Sequence, residues 1–136
     1  MADFPLSILT PEKEFYSGPA RMLVLPSTDG EIGIMAHHAP LVVTVIPGEL
    51  RLCIGDAWQS VYVSAGFATV TPEAVDVLVQ SALRPEEIDT ERARRDEERA
   101  EMLLRQQSSL HDAAIAQDMI ARSRARLQVS RHVLKK

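Results

Sequence analysis

The sequence predicts a mainly β plus α protein, an N-terminal β-sandwich followed by a C-terminal antiparallel two-helix hairpin. Three observations predict it. From Phe4 to about Ala82, short Val- and Ile-rich runs alternate with Gly, Pro and Asp turn signals, the pattern of a sandwich or barrel. Composition then shifts at Leu83-Arg84-Pro85-Glu86-Glu87. Beyond Pro85 there is neither Pro nor Gly, and Ala, Glu, Arg, Leu and Gln dominate, all favourable in helices. Finally, Gln106-Gln107-Ser108-Ser109 divides this half with a break short enough to make the helices antiparallel neighbours. The chain therefore divides into a β-unit over 1–84 and a helical unit over 85–136.

The strands follow in order. Leu6-Ser7-Ile8 alternates and is stopped by Thr10-Pro11, and the run from Arg21 to Leu25 ends at Pro26. Asp29-Gly30 reads as a turn, since Gly accepts a positive φ. Ile32-Gly33-Ile34 is a short strand whose Gly marks a bulge or a close backbone approach. Pro40 holds Ala39 extended, and the run from Leu41 to Ile46 leads to a turn at Pro47-Gly48. Leu50 to Ile54 meets a hairpin signal at Gly55-Asp56, and Val61-Tyr62-Val63 continues beyond it. Phe67 to Val70, the turn Thr71-Pro72-Glu73 and Val75 to Val79 complete this half.

Pro85 suits the first turn of a helix, with Glu86, Glu87 and Asp89 complementing its positive end. The first helix is expected from about Asp89 to Arg105 and the second from about Leu110 to His132. Their seam is thin: Ala93, Ala100, Leu103 and Leu104 on the first, Ala113, Ala116, Ile120, Ser123 and Leu127 on the second. At ~25 cal/mol per Å² it contributes a few kcal/mol before ordering entropy is charged. A hairpin held that weakly docks, undocks or straightens; the bland alternative is a static helical tail.

Charge is distributed unevenly. The net charge of −4 over 136 residues argues against a general nucleic-acid binder. The first helix mixes acids and arginines, enough for i,i+4 pairs on a solvated face. The second ends in Arg122, Arg124, Arg126, Arg131, Lys135 and Lys136, with no acid after Asp118. A cationic C-terminus complements the helix dipole, but six cations exceed what a cap needs and point to an acidic partner surface.

Candidate catalytic chemistry is sparse. There is no Gly-x-Ser-x-Gly elbow, no His-Glu-x-x-His, and no Gly-rich loop followed by Lys-Ser/Thr, so no catalytic residue is assigned. His37 and His38 are adjacent, and on a strand they would face opposite ways and could not jointly chelate; no metal site is expected. The single cysteine, Cys53, excludes an internal disulfide and reads as a small buried hydrophobe. No apolar run approaches a membrane span. Met1-Ala2-Asp3-Phe4 enters strand-like sequence at once, leaving no room for a signal peptide; any membrane association is expected through a partner.

One series of segments carries a more specific signal. It comprises Leu6-Ser7-Ile8-Leu9-Thr10-Pro11, Phe15-Tyr16-Ser17-Gly18, Gly30-Glu31-Ile32-Gly33-Ile34, His38-Ala39-Pro40-Leu41, Pro47-Gly48-Glu49-Leu50-Arg51-Leu52, Val63-Ser64-Ala65-Gly66-Phe67 and Ile88-Asp89-Thr90-Glu91-Arg92-Ala93. In this order and spacing they closely resemble the epsilon subunits of rotary F-type ATP synthases. The resemblance implies a flattened β-sandwich and a non-catalytic rotor subunit of a proton-translocating, bacterial enzyme, peripheral on the cytoplasmic face of the plasma membrane. It implies as partners the gamma subunit, the c-ring of the membrane sector and the alpha/beta catalytic head, with no nucleic acid and no direct membrane insertion.

The same resemblance implies roles for particular residues. Glu31 and His38 match positions on the surface that meets the gamma subunit and the ring; a solvated turn residue is the plain alternative for Glu31. Arg122, Arg124, Arg126 and Arg131 match the basic helix that extends to an acidic segment of beta and blocks hydrolysis. Ile88, Asp89, Arg92 and Ala93 fit the I/L-D-x-x-R-A motif with which some bacterial members bind ATP. Arg92 and Arg99 lie two helical turns apart and Arg122 and Arg126 one turn apart, spacings that let four guanidiniums converge on a triphosphate. Asp89 would accept a hydrogen bond from the adenine amino group. ATP, with or without Mg, would then be a regulatory ligand, no cofactor being required. One departure stands out: ATP-binding members have a glutamate where this chain has Leu83.

Two other classes compete. An autonomous nucleotide hydrolase is disfavoured by the missing P-loop and metal-binding acids. A β-sandwich/helical adaptor with a nucleotide-binding hairpin, dimerising through its helices, is disfavoured by the narrow Ala-rich seam. Neither explains the ordered segments.

Overall fold

Alternating burial builds part of the β-half. In β9 (Val75–Val79) all three valines are buried while Asp76 and Leu78 face out, the period of a half-buried strand. β1 (Phe4–Leu9), β5 (Leu41–Val45) and β8 (Gly66–Val70) follow the same period, whereas β3 (Met22–Ser27) is buried on both faces from Leu23 to Ser27 and β4 (Gly30–Ile34), β6 (Gly48–Ile54) and β7 (Ala57–Val63) alternate only in part. The structure, a computed structural model, describes residues 2–105 and 110–131. Its strands form one hydrogen-bonded path, β10 (Ala82–Leu83), β7, β6, β3, β5, β8, β9, β1 and β2 (Glu14–Ala20), with β4 attached to β3. Only β1 and β9 pair in parallel among these strands. A sheet this long closes on itself as a sandwich, and its inner faces share one core including Leu6, Ile8, Leu23, Leu25, Leu50, Leu52, Val63 and Val77.

Several local expectations are corrected. β3 continues through Pro26 to Ser27. Pro26 stands where β3 exchanges one neighbour for another, β6 along Met22–Val24 and β5 at Ser27. There the N–H it lacks has no ladder to feed, while its carbonyl still accepts from Ile46 N at 3.2 Å. β2 lies at the end of the path, where Pro19 is tolerated. His37 and His38 are on the connection after β4 rather than on a strand, His37 with a left-handed φ of 64°. Gly66 meets an absolute limit: a Cβ there would lie 2.0 Å from the Leu78 carbonyl oxygen.

Pro85 opens a separate 3-10 turn, Pro85–Glu87, instead of the first helix. Arg84 N donates to Glu87 Oε1 at 2.9 Å, and extended Ile88 separates the turn from the first helix. Helix α1 (Thr90–Arg105) then starts behind Asp89, whose Oδ1 accepts the Arg92 N–H at 3.0 Å. That is an N-cap: the carboxylate satisfies a donor left over by the first turn. Helix α2 runs Leu110–Ser130; His132 and the break at Gln106–Ser109 lie outside the described residues.

The helical seam is made of Ala93 and Ala100 on α1 and Ala116, Ile120 and Ser123 on α2, all buried. Leu103, expected in it, is 44% exposed, because it sits a quarter-turn off the Ala93–Ala100 line. A second buried stripe, unanticipated from the sequence, runs along α2. Ala125 and Val129 pack on Tyr62 of β7, together with Ile88 and Leu83. Helix α2 is thus held between α1 on one side and the β6–β7 face on the other.

Candidate functional site at the hairpin–sandwich junction

Ion pairs fix the register of the two helices. Arg124 reaches both Glu97 Oε2 (3.3 Å, from Nε) and Glu101 Oε1 (3.1 Å, from Nη2), and Arg126 Nη1 lies 3.8 Å from Asp96 Oδ2. The helices are therefore antiparallel, with Asp96 and Glu97 level with Arg124 and Arg126, and Arg99 about level with Arg122. Arg92, Asp96 and Arg99 share one side of α1 through i,i+3 and i,i+4 spacing. Since Asp96 meets Arg126, that side is turned toward the Arg122–Arg126 face of α2. The four arginines singled out in the sequence lie on one side of the hairpin. Arg92 and Arg99 are exposed, and their guanidiniums have no ion partner among the described residues.

The other two are engaged. Arg122 pairs with Asp118 one turn earlier. Arg126 lies over the Tyr62 ring, its guanidinium carbon 5.2 Å from the centroid, a cation–π contact that joins α2 to β7. Tyr62 is 0% exposed. Burial pushes its phenol above the ordinary range, against the downward pull of the Arg126 charge, of a hydrogen bond from the Arg126 side chain and of the Arg122 charge. The Arg126 Nε itself is buried without a hydrogen-bond partner.

The remaining residues of the motif have structural duties as well. Ile88 is buried in the cluster under α2, and Ala93 is 1% exposed in the helical seam. Asp89 caps α1 through Oδ1. Leu83 packs on the same cluster as Ile88, so an apolar contact occupies the place of the glutamate expected from ATP-binding sequences. Arg84, just before the turn, stacks on Phe15 at 4.8 Å and ties the start of the helical half to β2.

Away from the junction, Glu31 is on β4 rather than in a turn. It pairs with Arg51 of β6 at 3.0 Å, reaching across β3. His38 follows the far end of β4, half-buried, its Nδ1 2.7 Å from the Ala39 carbonyl oxygen. Arg131 is exposed at the end of α2. Cys53 is buried and free. Among the described residues no three His, Cys, Asp or Glu side chains cluster as metal ligands, and no helix is long and apolar enough to cross a membrane.

Comparison with known proteins separates the same two halves. Residues 3–85 match the family described as ATP synthase, Delta/Epsilon chain, beta-sandwich domain, and residues 86–131 the family described as ATP synthase, Delta/Epsilon chain, long alpha-helix domain. The chain is 39% identical over 130 residues to the ATP synthase epsilon chain of Ruminiclostridium cellulolyticum, covering 96% of this chain and 97% of that one. It is 40% identical over 133 residues to that of Shouchella clausii, covering 97% and 98%. The fold is similar to a chain in the cryo-EM structure of the Euglena gracilis mitochondrial ATP synthase, OSCP/F1/c-ring in rotational state 1. There the TM-score is 0.82 at 21% identity, over 100% of this chain and 83% of that one.

Proposed function

This chain belongs to the ATP synthase delta/epsilon chain family, and from that premise we propose that it is the subunit that regulates ATP hydrolysis from the central stalk of a proton-translocating F-type ATP synthase. It is a non-catalytic subunit. In this reading the β-unit docks on the gamma subunit and the c-ring through the surface that carries Glu31 and His38. The complex sits at the cytoplasmic face of a bacterial plasma membrane. The observation that carries the assignment is the match to the family over both halves, at 39% identity across nearly the whole chain.

The helices supply the regulation. In the folded hairpin, Asp96, Glu97 and Glu101 of α1 hold Arg124 and Arg126 of α2. An acidic segment of the beta subunit would compete for the same guanidiniums once α2 leaves the sandwich. Internal carboxylates therefore oppose inhibition by occupying the inhibitor's own cations. ATP bound by Arg92, Arg99, Arg122 and Arg126 would favour the folded state by mass action. What supports this is the placement of all four on one side of the hairpin, two of them exposed. The test is reconstitution with a gamma subunit and an alpha/beta head that lack epsilon. The full chain is expected to bind gamma and lower ATP hydrolysis, and residues 1–84 to bind without lowering it. Failure of the full chain to bind gamma would overturn the assignment.

A further inference from the structure

Asp96 is the only carboxylate of α1 on the side of the helix that carries Arg92 and Arg99. It follows Arg92 by four residues and precedes Arg99 by three, spacings at which helical side chains meet. It forms an ion pair with neither. Its carboxylate turns across the hairpin instead, to Arg126 Nη1 at 3.8 Å, with the two side chains 25% and 29% exposed. At that separation the charges attract but share no hydrogen bond.

The four arginines are consequently in different states. Arg92 and Arg99 have no ion partner among the described residues. Arg122 is hydrogen-bonded to Asp118 of its own helix, a pair that does not depend on α1. Among the described residues, Asp96 alone joins the helices by an ion pair on this side of the hairpin. Glu97 and Glu101 do so on the opposite side, at Arg124. A phosphate drawn toward Arg126 by Arg92 and Arg99 therefore meets a negative charge already in place. Like charges a few ångströms apart repel, and more strongly where water is partly excluded.

We propose that Asp96 is a built-in competitor of the nucleotide, its carboxylate holding Arg126 in the empty hairpin and yielding it to a phosphate oxygen when ATP binds. This rests on the nucleotide reading above and deepens it, from which residues bind to what sets the concentration at which they do. Binding exchanges one anion for another at Arg126 rather than supplying the first. A charge-assisted hydrogen bond to phosphate is stronger than the loose ion pair it replaces, so the exchange is favourable, but the pair given up raises the ATP concentration required.

Calorimetric titration of ATP into the full chain, Asp96→Asn and Glu97→Gln tests this. Asparagine keeps the size of Asp96 and removes its charge. Glu97→Gln removes the same charge from the same helix on the side that faces Arg124. The competitor role and a merely structural one predict opposite signs. Loss of a structural ion pair loosens the closed hairpin, the state that binds, and so weakens ATP binding. The expected result is tighter binding by Asp96→Asn, by roughly 3- to 10-fold, and no gain for Glu97→Gln. ATP affinity of Asp96→Asn equal to or below that of the parent would overturn the inference while leaving the nucleotide reading intact. An equal gain in both variants would also overturn it, since net charge rather than exchange at Arg126 would then be the cause. No binding by the parent or by Asp96→Asn at millimolar ATP would overturn both.

Discussion

Arg126 of α2 lies over the face of Tyr62 of β7, guanidinium carbon to ring centroid 5.2 Å, and this contact fastens the helical half to the sandwich. Its partner charge, Asp96 of α1, is only loosely engaged at 3.8 Å. Arg126→Gln should therefore weaken docking of α2 by about 1 kcal/mol. Hydrogen exchange checks it: amides of 120–130 should exchange faster while those of β1, β8 and β9 stay protected.

The carboxylates of α1 should restrain inhibition although they belong to the other helix. Glu97→Gln with Glu101→Gln leaves Arg124 without its partners. Exposed pairs of this kind contribute roughly 0.2–1 kcal/mol. With two such pairs removed, a shift of up to about thirtyfold toward the undocked helix follows. In a reconstituted complex, hydrolysis at a fixed subunit concentration should fall further with the double variant than with the parent. An equal or higher rate would remove the carboxylates from the mechanism.

Leu83 packs where ATP-binding sequences are expected to carry a glutamate. It lies against the cluster of Tyr62, Ile88, Ala125 and Val129, so Leu83→Glu brings a charge to an apolar contact and should loosen α2 in the absence of nucleotide. The same change restores the glutamate expected of ATP-binding sequences. Titration should show tighter ATP binding by the variant, and melting without ATP a lower midpoint.

Alkaline pH should release α2 through Tyr62. Its folded-state pKa is raised above 10.0, by burial first. The folded form thus holds its proton where the undocked form loses it. The corresponding stability is fully present below pH 10 and is lost as pH rises through the folded value. Exchange protection of α2 should decline in that window for the parent and much less for Tyr62→Phe. Tyr16, raised as well, is common to both proteins.

Gly66→Ala tests the sandwich itself. With the Leu78 carbonyl 2.0 Å from the added Cβ, β8 and β9 must separate. A loss of about 2 kcal/mol or more is expected, read as a lower midpoint in thermal unfolding.

The sandwich was legible in the sequence where burial alternates, as in Val75, Val77 and Val79. β2 was not, because Ser17, Gly18 and Pro19 carry no alternation and the strand survives by lying at an edge. The helices and most of their seam followed from composition and spacing. The docking of α2 did not. Ala125 and Val129 form too slight a stripe among Asp118, Arg122 and Arg126 to register as a face, and they find their partner in Tyr62, far back along the chain. Arginine spacing showed which guanidiniums share a helix side. Only the pairing of Asp96 with Arg126 brought the two sides together.

The central claim is that nucleotide holds α2 against the sandwich. Hydrogen exchange of the full chain at millimolar ATP, followed over 120–130 and over β7, measures this directly. Increased protection in both segments, lost in an Arg99→Ala, Arg126→Ala variant, is the predicted result. Unchanged exchange in both segments would contradict it.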